Sequence, residues 1–527
     1  MATSGAHERP GSKWYSRLTT VALKTTDHSR NAPSDLLISI DSGAGVGLQQ
    51  QVYAGIRRAI LDGVLTPGTQ LPSSRALAGD LNVSRTTTLL AYEQLLAEGY
   101  LSARHGSGTF VASELPDALP RRVLVPRPTR TRHPALSRRG NALVETPGPA
   151  RRLTGPPRPF RLGAPALDRF PYRLWSRLVD QRLRSMTMGQ LDYGDAAGFG
   201  PLRQAIAELV ESARGTRCDS DQVFIVAGAQ RGLQMLATVL LDHGDRVWLE
   251  EPGYNGARSA LLAAGARIVP VRVDDQGLDV AAAVKRSPDA RLAYVTPSNQ
   301  FPLGVPMSLP RRLALLKWAS AVGAWIVEDD YDGEFRYGTR PFQSLHGLDS
   351  DGRVIYLGTF AKSIFPALRL GFVIVPSDLR DKFRDARRAA DVHPPVLEQM
   401  ALTDFIAAGH YARHIRRMRG IYRERLEALS DAAQALCAGV LRLRRVQTGL
   451  HAVADLLGVD EDRVCLEARD RDIEVSPIGM YFTGPPTFKG LVLGFASTNP
   501  DAIRRGMERL AGSIDGAMRP DERKNRA

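Results

Sequence analysis

The chain has 527 residues, 43% of them hydrophobic and 24% charged, with a formal net charge of +14 and three cysteines. That length exceeds one ordinary core and allows two or three domains, and the composition excludes a low-complexity or fibrous chain. Cys218, Cys437 and Cys465 are far apart, without CxxC or Cys/His spacing, which argues against a disulfide framework or structural zinc and for a reducing compartment. No apolar run approaches the ~18 residues of a membrane span and residues 1–40 hold no signal-like stretch, so a cytoplasmic location without membrane contact is expected.

The charge is uneven. Residues 1–159 carry 20 Lys+Arg against 11 Asp+Glu, a net of +9, and the remaining 368 residues carry the other +5. A basic N-terminal third favours a polyanionic partner, most commonly nucleic acid. Residues 1–42 show no sustained periodicity and read as a flexible leader. Leu48, Val52, Ile56 and Ile60 then recur every fourth residue, one apolar helical face that ends near Asp62-Gly63. Pro67-Gly68 marks a turn. A second helix fits Ser73–Leu81 with Ser73 or Ser74 as N-cap, and a third fits Arg85–Glu98 with Ser84 as N-cap and Leu89, Tyr92, Leu95 and Leu96 inward. Tyr100–Ala103 and Thr109–Ala112 read as two strands around a glycine-bearing turn.

Three helices followed by a hairpin make a winged helix over residues 43–113. In such a module the third helix enters the major groove N-terminus first, which brings Ser84, Arg85, Thr86 and Thr87 to the DNA. Arg85 suits a bidentate contact to guanine, and Ser84 and Thr86 suit phosphate. Arg75 opens the second helix as a further phosphate or base contact, and Arg104, His105 and Gly106 lie at the wing tip. Residues 114–159 are rich in proline and arginine, cannot bury a core, and read as a linker; as a flexible coil of ~45 residues it would span roughly 35–40 Å.

From Phe160 onward, short apolar runs alternate with helical stretches. Val223–Val226, Arg246–Glu250, Arg267–Val271, Leu292–Thr296, Trp325–Glu328, Val354–Thr359 and Gly371–Val375 are strand candidates, with helices such as Gln230–Leu241 and Arg311–Val322 between some of them. This alternation predicts a mainly parallel α/β sheet in a domain over 160–515, with a tail at 516–527. Several chemistry-bearing residues stand at the predicted strand ends. Lys362 follows Val354–Thr359 beside Phe360 and Phe365, where desolvation favours imine formation. Thr359 and Arg369 flank it, a hydroxyl and a guanidinium suited to phosphate. Asp329 and Tyr331 follow an apolar strand. Ala229 and Gln230 open a helix whose N–H groups face an anion, and Tyr254 sits in a Pro-Gly turn. Singly, each has an ordinary structural explanation. Together they supply the lysine, the acid for a pyridine nitrogen, the phosphate donors and the ring-covering aromatic that pyridoxal 5′-phosphate (PLP) needs.

Two stretches carry a family resemblance. LQQQVYAGIRRAILDGVLTPGTQLPSSRALAGDLNVSRTTTLLAYEQLLAEGYLSARHGSGTFVA resembles the DNA-binding domain of the GntR family along its whole length. From about Pro159 to Leu510 the chain is similar to fold-type-I aminotransferases, and through EEPGY, TPSNQFPLGVPMSLPRR, EDDYDGEFRY and GTFAKSIFPALRLGF it looks like the MocR/GabR-type regulators. The resemblance implies a winged helix-turn-helix joined to an α/β PLP-binding domain with a mainly parallel sheet and a small C-terminal subdomain. It implies Lys362 as the Schiff-base lysine, Asp329 at the pyridine nitrogen, Tyr331 at the phenolate oxygen, Tyr254 stacked on the ring, and Ala229, Gln230, Thr359 and Arg369 on the phosphate. By the same resemblance Arg75, Ser84, Arg85, Thr86 and His105-Gly106 contact DNA.

Two positions depart from the aminotransferase pattern. Val492 aligns with the arginine that clamps a substrate carboxylate, and Arg258 is a substitute candidate that can equally be a structural ion pair. Phe301 occupies the place of the NPxNPTG asparagine, with Asn299 near but offset. The function implied is a PLP-dependent regulator that binds a double-stranded operator as a domain-swapped, head-to-tail homodimer. It senses a small amine, an amino acid or PLP itself by aldimine exchange at Lys362. The alternative is a working aminotransferase with an accessory DNA-binding domain.

Overall fold

The computed structural model describes residues 18–23, 36–41, 45–104, 106–116, 135–145, 157–337 and 343–518. They fall into two compact units divided between His133 and Pro134.

The N-terminal unit begins with β1 (Leu18–Leu23) and β2 (Leu36–Asp41), paired antiparallel. These strands lie within residues 1–42, expected to be a flexible leader, and correct that expectation over 18–23 and 36–41. Ile38 and Ile40 alternate along β2 and are buried, a period-two pattern too short to stand out in the sequence. Three helices follow, α1 (Leu48–Leu61), α2 (Ser74–Asp80) and α3 (Arg85–Ala97), and then β3 (Leu101–Arg104) and β4 (Gly108–Val111) form the wing. Ile38 packs on Gly55 of α1, where an added Cβ would come within 2.9 Å of its Cγ2. The Gln51 amide bonds both the N–H of Asp41 at 2.8 Å and its carbonyl at 2.9 Å, locking β2 to α1. Ser73 and Ser84 cap α2 and α3 by accepting from the N–H groups of Ala76 and Thr87.

The apolar face of α1 buries Val52, Ile56, Ala59 and Ile60, with Leu48 half-buried at its start. On α3 the inward set is Thr88, Ala91, Tyr92 and Leu95, which corrects the expected inward Leu89. Leu89 is 41% exposed, because the inward face is turned one residue toward Thr88, whose hydroxyl donates to Ser74 O at 2.7 Å and ties α3 to α2. Leu115 still packs on this core and Pro116 lies against Gly99, so the domain runs past residue 113.

In the larger unit, α4 (Arg138–Glu145) lies inside the stretch expected to be a plain linker. That stretch is also anchored at its end, where Arg158 pairs with Asp472 at 2.9 Å. The central sheet comprises β5 (Val223–Val226), β6 (Arg246–Glu251), β7 (Arg267–Asp274), β8 (Gly277–Leu278), β9 (Leu292–Val295), β10 (Trp325–Asp330), β11 (Val354–Thr359) and β12 (Gly371–Ile374). Their order is β5-β12-β11-β10-β9-β6-β7-β8. β12 runs antiparallel to both neighbours and β8 to β7, and the remaining pairs are parallel. Strands β5, β9, β11 and β12 are buried along their whole length, as expected when helices cover both faces.

A second sheet is antiparallel in the order β13 (Leu441–Leu443), β14 (His451–Leu456), β16 (Gly490–Gly494), β15 (Ser476–Pro477). It is flanked by the helices His410–Cys437 and Pro500–Ala517. The last helix reaches Ala517 and Met518 is buried, so the expected tail from 516 begins no earlier than 519. No described helix is long and apolar enough to cross a membrane.

The docking of β2 on α1 is open to a direct check. Ile38→Ala should lower the unfolding free energy of the N-terminal unit by about 2–4 kcal/mol, the usual cost of such a truncation in a core. Urea titration of the full chain, followed by circular dichroism, reads it.

Candidate cofactor site and nucleic-acid interface

β10 carries three consecutive acids into the protein, Glu328, Asp329 and Asp330, all buried. Glu328 is met by the N–H groups of Leu345 and His346, both at 2.9 Å. Asp330 accepts from Arg214 Nε at 2.5 Å and from the Tyr356 hydroxyl at 2.7 Å. Burial pushes Asp330 up, but Arg214 and these hydrogen bonds outweigh it and hold the carboxyl below its ordinary value. Asp329 Oδ1 and Asp330 Oδ1 are both buried without a hydrogen-bond partner among the described residues. Asp329 differs in having no arginine among them bonded to it: its Oδ2 accepts from the Tyr294 hydroxyl at 2.7 Å. Burial pushes this carboxyl up to about 7, against the opposing Tyr294 bond. A buried acid with one oxygen unsatisfied is a receptor for a cationic N–H, and a protonated pyridine nitrogen is such a group.

Lys362 lies in the turn after β11, and its Nζ donates to Gly163 O at 2.7 Å. Gly163 has φ +72°, and a Cβ there would come within 2.7 Å of Nζ, so only glycine admits the lysine in this pose. Near it, the helix Ala229–Leu240 starts behind Gly228 with no side-chain cap, leaving its first N–H groups suited to an anion. Arg369, itself left-handed at φ +53°, donates to Ala227 O at 2.9 Å, and a Cβ on Gly228 would lie 2.9 Å from its Nη2. Thr359 ends β11 with its hydroxyl accepting from Ala361 N at 3.2 Å. These elements form a cradle for phosphate. The Gln230 side chain serves elsewhere, donating to Gly256 O at 2.8 Å and meeting the Tyr254 hydroxyl at 3.4 Å, so only its main-chain N–H is left to face an anion.

On the side opposite the cradle, the Tyr331 hydroxyl accepts from Asn299 Nδ2 at 3.0 Å. Burial holds that hydroxyl protonated, far above its ordinary range. Asn299 therefore reaches the tyrosine although it is offset from the family's turn position. Phe301 stands edge-on to Tyr254, Tyr331 and Tyr481, at 5.6, 6.0 and 5.2 Å between ring centroids, and 5.4 Å from His451. Burial pushes His451 down to about 4, leaving it neutral beside Pro302 O at 2.9 Å. Val492 is fully buried in β16 between Val453 and Ser476, inside an apolar cluster with Tyr481 and Phe482. Arg258 forms no ion pair among the described residues, and its Nε is buried without a hydrogen-bond partner. The ion-pair alternative for Arg258 is thus not realised among those residues.

Sequence reasoning passed over Gly163, Tyr294, Asp332, Thr448 and His451. Nothing local marks them, since each acts through a partner distant in the chain; the nearest signal is the Asp332 of EDDYD, a fourth acid within five residues.

In the N-terminal unit, Arg75, Ser84, Arg85 and Thr86 are exposed on α2 and at the start of α3, and Thr87 is half-buried. The Ser84 and Thr87 hydroxyls stand 2.8 Å apart and close the cap, so both are partly engaged before any phosphate arrives. Arg104 lies over the Phe110 ring at 4.9 Å, Gly106 takes φ +74°, and Gln70 Nε2 braces the wing through Ser107 O at 2.8 Å. His105 lies outside the described residues.

A winged helix in one unit and a lysine-bearing aminotransferase sheet in the other define a DNA-binding regulator built on a PLP fold. Residues 48–111 match the gntR family of bacterial regulatory proteins, and residues 173–510 match aminotransferase class I and II. The chain is 40% identical to the "Probable rhizopine catabolism regulatory protein MocR" of Rhizobium meliloti, covering 91% of this chain and 96% of that protein. It is 31% identical to the pyridoxine biosynthesis transcriptional regulator PdxR of Corynebacterium glutamicum, over 91% and 99%. Among solved structures, the α-aminoadipate aminotransferase LysN of Thermus thermophilus, complexed with N-(5′-phosphopyridoxyl)-L-leucine, is 30% identical with a TM-score of 0.62, over 68% of this chain and 92% of that one. The kynurenine aminotransferase of Pyrococcus horikoshii is 26% identical with a TM-score of 0.63, over 68% and 91%. The chain belongs to the MocR-type subfamily of GntR transcription regulators.

The buried acids set a pH dependence. Burial pushes Glu250, Glu328 and Asp329 up to about 7 and Asp332 up to about 8, against unfolded values near ~4. Between those limits the folded chain holds more protons than the unfolded one, so stability falls as pH rises through that window. Cofactor-free protein should melt at a higher temperature at pH 5.5 than at pH 8 by calorimetry, and Asp329→Asn should flatten part of that slope.

Proposed function

We propose that this chain reads an operator with its winged helix and uses PLP in the larger unit as the receptor for a small primary amine. The carrying observation is the unsatisfied buried Oδ1 of Asp329 in the same site as Lys362 and the glycine-lined phosphate cradle. When bound, PLP supplies a carbonyl carbon that condenses with a primary amine. Lys362 would be the resident amine on that carbon, and an effector amine would be its competitor. Asp329 would accept the pyridine N–H, and Tyr331, held by Asn299, would donate to the phenolate oxygen. Tyr254 would cover the ring. The N–H groups of Ala229 and Gln230, the Thr359 hydroxyl and Arg369 would hold the phosphate. The effector's remaining atoms would meet Phe301, which is backed by an apolar cluster holding Tyr481 and the buried Val492, with Arg258 as the candidate for any anionic group.

On DNA, Arg85 reads a base. Arg75, Ser84, Thr86 and Thr87 fix the register on phosphate, and Arg104, His105 and Gly106 supply the wing contact. An effector alters transcription to the extent that the two occupants of the lysine position favour different domain arrangements. The working form is a homodimer in the cytoplasm, with linkers crossing between copies. Exposed Tyr172, Leu183, Met188, Leu191 and Tyr193 lie close together in sequence and support a self-association surface. Regulation is preferred to turnover because regulator relatives cover about nine-tenths of this chain, whereas the 2-aminoadipate transaminase relative covers 68%.

The wild-type protein loaded with PLP should show a visible absorbance band that Lys362→Ala lacks and that at least one amine of a panel displaces. No band in wild type after adding PLP would remove the cofactor reading. Arg85→Ala should weaken operator binding by about 1–3 kcal/mol and relax discrimination against altered sites, measured by fluorescence anisotropy on specific and scrambled duplexes at fixed salt.

A further inference from the structure

The Asn299 amide joins three stretches that are distant in sequence. Its Nδ2 donates to the Tyr331 hydroxyl and to both carboxyl oxygens of Asp332, each at 3.0 Å. Its Oδ1 accepts from Thr448 Oγ1 at 2.7 Å. Asn299, Asp332 and Thr448 are 2%, 1% and 3% exposed, so water does not compete for the bonds among these three, and Tyr331 is half-buried. The loop that carries Thr448 is stitched to the Tyr331 segment. Gly449 N donates to Phe335 O at 2.8 Å, Tyr337 N to Gln447 O at 2.9 Å, and the Tyr337 hydroxyl to Gly449 O at 2.7 Å. At Gly449, φ +87°, an added Cβ would lie 2.3 Å from Asn299 Nδ2, so the loop backbone rests directly on the amide.

Beside the branch to Asp332, the donors that lead to Tyr331 run in one sense. The Thr448 O–H gives to the Asn299 carbonyl, the Asn299 N–H gives to the Tyr331 oxygen, and the Tyr331 proton is left for a further acceptor. The Tyr331 hydroxyl makes no other hydrogen bond among the described residues. In a buried chain of this kind each bond polarises the next, so a donor at the far end strengthens the donor at the near end. We propose that Thr448, on the loop between β13 and β14, is a positioning residue that holds Asn299 in register and makes Tyr331 a stronger hydrogen-bond donor to the phenolate oxygen of PLP. The inference rests on the PLP reading of the site. It also accounts for Phe301, which leaves the family's asparagine position without a polar group. Here the amide comes from two residues earlier, and Thr448 supplies its anchor.

The test is the pH midpoint of the visible band in the full-length, PLP-loaded protein. Proton loss there leaves negative charge at the phenolate oxygen, so a donor to that oxygen lowers the midpoint and a weakened donor raises it. Thr448→Val should raise the midpoint by about half a pH unit, with Thr448→Ser at the wild-type value. Tyr331→Phe should raise it further, and adding Thr448→Val to Tyr331→Phe should change nothing more, because the chain then has no near end. Thr448→Ala replaces Thr448→Val in the same cycle if the valine variant does not fold. A midpoint unmoved by Thr448 substitution, or a shift that adds to that of Tyr331→Phe, overturns the proposal. A wild-type protein with no band overturns the cofactor reading itself, which is a separate result.

Discussion

Burying three successive carboxyl groups at the end of β10 is the constraint around which the larger unit is arranged. A buried carboxylate is costly unless charge or hydrogen bonds meet it, and each of the three is met differently. Glu328 takes two backbone N–H groups at the start of the helix Leu345–Leu348, which fixes that helix against the sheet. Asp330 takes Arg214 and Tyr356, tying the end of the helix Gly200–Arg214 to β10 and β11. Asp329, between them, receives only Tyr294 from β9 among the described residues. Asp330 also keeps one buried oxygen without a hydrogen-bond partner among the described residues, but Arg214 balances its charge; Asp329 is the acid of the run met there by neither an arginine nor backbone N–H groups, which leaves it to a role outside the fold.

That role lies where ligand sites of open α/β sheets lie, beyond the carboxyl ends of the strands. Lys362 and Thr359 come from the end of β11, Asp329 and Tyr331 from the end of β10, and Asn299 and Phe301 from the turn after β9. The second sheet adds Thr448 and His451 from the opposite side. Mutating any of the strand-end residues would touch a neighbour from another strand, so their effects should be read in pairs rather than singly.

The strands of the larger unit were legible because parallel strands covered on both faces are continuous apolar runs; β5, β10 and β11 begin and end within a residue or two of where the hydrophobicity does. The helix caps were legible for a similar reason, since Ser73 and Ser84 combine a short polar side chain with a following helical pattern. Leu89 was misread because a helix turned by one residue carries almost the same periodicity, and the buried Thr88 hydroxyl that fixes the turn looks polar. The β1–β2 pair and α4 were hidden in stretches whose overall composition resembles a leader and a linker, although Ile38 and Ile40 already alternate. In the cofactor site, the lysine, acid and tyrosine were legible from motif order. Gly163 and Thr448 were not, since Gly163 lies 199 positions from Lys362 and Thr448 lies 149 from Asn299.

The resting place of Lys362 has a mechanical corollary. Phe160 O accepts from Gly494 N at 3.0 Å, joining the chain that arrives from the DNA-reading side to the edge of β16, and three positions later Gly163 O receives the lysine. Arg161, between them, is itself tethered to Glu474 at 2.8 Å. The entry point of the incoming chain and the parking position of the reactive amine are thus parts of one short, multiply anchored span. Any substitution in residues 160–163 therefore touches the chain's point of entry and the surroundings of Lys362 at once.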